Sequence, residues 1–78
     1  MEYQNVGQNV QHFRHQADLS QFDLAVKAGV PVGTIQGWEQ GRRIPRLDQL
    51  IKVAQALGVG LDQLVGPEPP KPRRRKEK

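Results

Sequence analysis

Gln36 and Gln40 stand four positions apart, and Arg42, Arg43 and Arg46 follow directly after them. Glutamine carries a donor and an acceptor on one planar amide, the pattern that matches the N6/N7 edge of adenine. Arginine carries a planar fork of donors suited to phosphate oxygens. Both are the chemistry of recognition. Covalent or acid–base chemistry has far less to draw on. The chain has no cysteine, Ser20 is its single serine, and its carboxylates are scattered without forming a pair. His12 and His15 fall at i, i+3 on one helical stretch, with no cysteine or carboxylate beside them to complete a metal site. No catalytic residue, metal or cofactor is expected, and the chain is not read as an enzyme.

The positions of the charges matter more than their sum. Of the formal +4, none belongs to residues 1–65, where six basic residues meet six acidic ones. Residues 66–78 hold six basic residues against Glu68 and Glu77, so the whole excess lies there. Any attraction of the remainder for a polyanion must come from local clustering, and Arg42, Arg43 and Arg46 are that cluster. In isolation the three would read as a solvated loop. Apolar runs are only a few residues long, too short for a membrane span. The polar start "MEYQNVGQNV" lacks the pattern of a signal peptide. A cytoplasmic protein with no membrane partner is expected.

Five helices must position these groups. Val6, Val10, Phe13 and Ala17 recur on one face of a first helix. Ser20 is the N-cap of a second, with Asp23 as a short capping-box partner and Leu19 and Leu24 as a hydrophobic staple. Gly29 ends it in the left-handed C′ position. A third helix begins at Pro31 or Val32 and ends at Gly41. Leu47, Leu50, Ile51, Ala54 and Leu57 mark the apolar face of a fourth, closed by Gly58. Residues 60–65 form a short fifth helix offering Leu61, Leu64 and Val65 for burial. From Gly66 on, four prolines and a run of charge predict a disordered basic tail. The chain therefore divides into an all-α domain, 1–65, and a tail, 66–78.

The second and third helices are joined by a turn of about three residues, with small Ala25 available at the crossing and Gly29 free to adopt positive φ. Leu24, Ala28, Val30, Ile35 and Trp38 are placed to anchor both to the core, Trp38 as an anchor and not as a stacking platform. With "LSQ..LA..AGV" and "TI..WE.GRR.P...L...A.ALGV", residues 6–65 resemble the phage-repressor or Cro-type helix-turn-helix family, also called the xenobiotic-response-element type. The resemblance implies a compact five-helix, lambda-repressor-like DNA-binding domain that represses or activates transcription at an inverted-repeat operator, and this chain is read as a repressor. It also implies a homodimer on double-stranded DNA, recognition helices about 34 Å apart in successive major grooves.

Carried over by position, the resemblance puts Gln21 on a DNA phosphate and sets the loop of Arg42, Arg43 and Arg46 against the DNA backbone; Thr34, at the edge of the buried side of the third helix, is read as a further phosphate contact. It pairs Arg14 with Glu39 as a structural ion pair. Ile35 and Trp38 fix the buried side of the third helix, leaving Gly33, Gln36, Gly37 and Gln40, flanked by Val32, to face the groove. Gln36 and Gln40 would read adenines and Val32 a thymine methyl. The chain departs from the family at two helix starts, where Pro31 and Arg46 replace capping residues. The larger departures are Gly33 and Gly37, which remove two reading side chains. They would let the backbone approach the groove floor. Alternatively, their G-x-x-x-G spacing would let another helix pack closely, making the domain a protein-interaction module or antitoxin-like partner.

Overall fold

The computed structural model describes residues 3–67. It contains five helices and, among the described residues, no strand: α1 (Tyr3–Gln16), α2 (Gln21–Ala28), α3 (Val32–Glu39), α4 (Leu47–Leu57) and α5 (Leu61–Val65). The all-α class is as expected. The expected disordered tail lies, from residue 68 on, outside the described residues.

α1 packs on α3 and α5, α2 on α3 and α4, and α4 on α5. The core between them holds Val6, Val10, Leu24, Ile35, Leu50, Val53 and Leu64, all essentially inaccessible. Full burial of each such side chain contributes roughly 1.5–3 kcal/mol. Ala17 does not extend the α1 face. The helix ends at Gln16, and Asp18 turns the chain at a φ of 63°, a left-handed conformation that aspartate tolerates better than most residues.

The capping signals around α2 are realised in full. The Asp23 N–H donates to Ser20 Oγ at 2.9 Å, and the Ser20 N–H donates to Asp23 Oδ2 at 3.2 Å. Gly29, at a φ of 75°, closes the helix with its N–H bonded to the carbonyls of Ala25 and Val26. Neither Pro31 nor Arg46 supplies a side-chain cap to the helix it precedes. The start of α3 is held instead by the Thr34 N–H donating to the Pro31 carbonyl at 3.0 Å.

One helix face differs from expectation. In α4 the buried residues are Leu50, Val53 and Ala54, whereas Leu47 is 62% exposed and Ile51 41%. The helix is rolled so that Val53 points inward and two of the expected core residues point outward. Its apolar stripe is wider than its contact, and packing on α2 and α5 decides which edge is covered.

Candidate nucleic-acid interface

α3 is locked from behind. Ile35 and Trp38 enter the core, and Glu39, one residue further, meets Arg14 of α1 in a two-point ion pair. Arg14 Nε donates to Glu39 Oε2 at 2.8 Å and Arg14 Nη2 to Glu39 Oε1 at 3.0 Å. The remaining nitrogen, Nη1, donates to the Leu19 carbonyl at 2.9 Å. Arg14 is only 7% exposed. A charge so buried is tolerable because every face of its fork is satisfied. The pair joins α1 to the end of α3 and, through Leu19, to the start of α2.

Gln21 belongs to the same cluster. Its Nε2 donates to Glu39 Oε1 at 3.0 Å, so one donor of the amide assigned by resemblance to a DNA phosphate is used within the protein, and the residue stays half-buried at the start of α2. Thr34 is displaced from its expected role. It is 2% exposed, because its place beside Ile35 puts it on the core side of the helix, where its hydroxyl cannot reach a phosphate.

The outward side of α3 carries Gly33, Gln36 and Gln40, all exposed, with Val32 half-buried at the helix start. Gly37 was expected to be bare, and it is buried. The connector after Gly41 folds back over it, with the Arg42 N–H donating to the Gly37 carbonyl at 2.8 Å and the Arg43 N–H at 3.3 Å. Gly41, at a φ of 73°, permits that reversal. Gly33, Gln36, Gly37, Gln40, Arg42 and Arg43 thereby line one shallow groove of about 150 Å³. Arg42 Nε donates to Gln40 Oε1 at 3.1 Å, which orients the glutamine amide. Arg46 is exposed beyond the groove, 3.5 Å from Asp48. The candidate interface is thus one helix face and one cationic loop, lining one groove. Hydrogen-bonding amides flanked by guanidinium groups suit a polyanion that also presents base edges.

Two residues of the frame carried no sequence expectation. Asn9 is 1% exposed, and its Nδ2 donates to the Leu64 carbonyl at 2.8 Å and the Gly66 carbonyl at 3.3 Å. It ties α1 to the C-terminal end of α5, where helix carbonyls lack partners. Gly7 lies where α1 meets the end of α3, against the Trp38 carbonyl. A polar residue three positions after Val6, inside the apolar stripe, was the available signal for Asn9. A glycine within a helical pattern was the signal for Gly7.

The helix-turn-helix family profile matches residues 10–64. The chain belongs to the Cro/C1-type helix-turn-helix family. Its members are built for DNA binding, and the paired α2 and α3 are the motif that gives the family its name. An uncharacterised helix-turn-helix-type transcriptional regulator of Sinorhizobium fredii is 36% identical over 62 residues, spanning 80% of each protein. The restriction-modification controller protein C.AhdI of Aeromonas hydrophila superposes with a TM-score of 0.75 at 31% identity, over 80% of this chain and 94% of that one. Multiprotein-bridging factor 1 of Debaryomyces hansenii is 40% identical over 57 residues, which are 73% of this chain but 38% of that protein. The chain therefore corresponds to well under half the length of that fungal relative. Among the described residues no helix is long and apolar enough to cross a membrane, and no cluster of histidine and carboxylate side chains could hold a metal ion.

Proposed function

We propose that residues 1–65 are a sequence-specific DNA-binding domain that docks α3 in the major groove, and that the protein regulates transcription, acting as a repressor by occupying its operator. The observation that carries this reading is the groove lined together by Gln36 and Gln40 of α3 and by Arg42 and Arg43 of the connector. In this reading Gln36, Gln40 and Val32 contact bases, and Arg42 and Arg46 hold phosphates. Gly33 lets the backbone approach the groove floor. Thr34 leaves the contact set, because its side chain is buried, while Gln21, half-buried at the start of α2, keeps its place at a phosphate. The basic tail of residues 66–78 adds sequence-independent affinity.

The protein works as a cytoplasmic homodimer with no catalytic step. Two copies present α3 to half-sites one helical turn, about 34 Å, apart. Selection of bound fragments from random duplex DNA tests all of this together. An inverted repeat with that spacing is the expected result, and recovery of no preferred sequence overturns the reading.

A second reading is favoured by a different observation. Phe22 and Val26 of α2 are 65% and 64% exposed, and Ile44 of the connector is 70% exposed. Exposed apolar side chains of this size suit protein contact, and the name of the fungal relatives points to bridging between proteins. Co-purification with a protein partner, without affinity for any DNA, would select this alternative.

A further inference from the structure

We propose that Arg43, a residue of the connector, is the principal base-reading side chain of the α3 surface, that it addresses the O6/N7 edge of a guanine, and that Gly37 positions it. This rests on the DNA-binding reading above. A methyl group placed on Gly37 would stand 2.6 Å from both Cγ and Cδ of Arg43 and 3.2 Å from its Cβ. The aliphatic stem of Arg43 therefore lies flat across the helix where the Gly37 side chain would otherwise be. Its backbone is fixed there too, through the N–H bonds of Arg42 and Arg43 to the Gly37 carbonyl. One turn earlier, a methyl on Gly33 would meet nothing within 4 Å, so the floor of the groove beyond the stem is open.

The guanidinium at the end of this stem is uncommitted. Among the described residues Arg14 is held by Glu39, Arg42 by Gln40 and Arg46 by Asp48, while Arg43 makes neither an ion pair nor a side-chain hydrogen bond. An arginine laid along the groove-facing side of α3 takes the place of the side chains that Gly33 and Gly37 lack. Its planar fork matches guanine better than any other base. The two glycines are then parts of one device. Gly37 seats the stem, and Gly33 leaves room for the duplex at the tip.

The test uses the full chain and the duplex sequence that it selects from a random pool. Arg43→Lys keeps the charge but removes the fork, and Gly37→Ala keeps the arginine but displaces its stem. Each is expected to lose preference at one G·C pair of each half-site by roughly tenfold or more, with the other positions and the salt dependence unchanged. The atoms nearest a Gly37→Ala methyl are Cβ, Cγ and Cδ of the Arg43 side chain, so the stem must give way, and a melting curve verifies that the fold outlasts the shift. Uniform weakening at all sites by Arg43→Lys identifies a phosphate contact and overturns the proposal while leaving the DNA-binding reading intact. A loss of preference in Arg43→Lys alone overturns the role of Gly37. A parent chain that selects no sequence overturns the proposal and the reading together.

Discussion

The α-carbon of Gly7 lies directly against the backbone carbonyl of Trp38. A methyl group there would overlap the carbonyl oxygen, stand 2.8 Å from the Trp38 carbonyl carbon, and stand 3.0 Å from Glu39 Cα. All three are backbone atoms with nowhere to retreat. This contact brings α1 close to the end of α3, from which Arg14, further along α1, reaches Glu39.

Gly7→Ala therefore opposes two effects. Alanine favours the helix by roughly 0.8–1.0 kcal/mol over glycine, whereas forced repacking typically costs about 1–3 kcal/mol. With rigid backbone on the other side, repacking prevails. Thermal unfolding is expected to show a net loss of roughly 1–2 kcal/mol, a fall in Tm of about 4–16 °C for a domain of this size. A Tm at or above that of the parent would rule out the close approach.

The Arg14–Glu39 pair should be far more sensitive to losing one member than both. Glu39→Ala leaves Arg14 charged and buried, at an expected cost of roughly 3–5 kcal/mol. Replacing both with apolar residues, Arg14→Met with Glu39→Leu, is expected to recover much of that loss. Denaturant unfolding of the parent and the two variants gives the comparison. Equal destabilisation by the single and double replacements would mean that the pair acts only through its packing.

Asn9→Ala removes the donor to the Leu64 and Gly66 carbonyls. An abandoned buried acceptor costs about 1–3 kcal/mol, and the damage should fall first on α5. Amide hydrogen exchange is expected to quicken in α5 while the core of α1 and α2 stays protected. Uniform acceleration across the domain would place the role of Asn9 elsewhere.

DNA affinity should fall steeply with salt. Each phosphate neutralised contributes about 0.9 to the slope of log K against log salt on duplex DNA. Arg46→Ala is expected to lower that slope by about 0.9 and to weaken selected and unselected sequences alike. Gln36→Ala is expected to leave the slope unchanged and relax the preference at one position. An affinity independent of salt would exclude phosphate contacts altogether.

The helix ends were the most legible part of the sequence. Gly29, Gly41 and Gly58 all adopt positive φ, and the Ser20–Asp23 box forms as its spacing requires, because such signals act within a few residues. The Arg14–Glu39 pair was legible only through family resemblance, since 25 positions separate the partners. What the sequence left open depends on tertiary approach. Leu47 and Ile51 belong to the apolar stripe of α4, yet the neighbouring helices cover the edge containing Val53. Gly37 reads as an empty place on a helix, and only the return of the connector shows what fills it. The same holds for Gln21, whose bond to Glu39 joins residues 18 positions apart.

The seat of Arg43 on Gly37 also bears on how recognition can diverge. A reading residue rooted in a helix is constrained by helical propensity and by the rotamers its neighbours allow. A reading residue rooted in the connector is free of both, while the carbonyl of Gly37 still fixes where its backbone lies. A substitution at position 43 is therefore expected to change the preferred base without touching the buried side of α3.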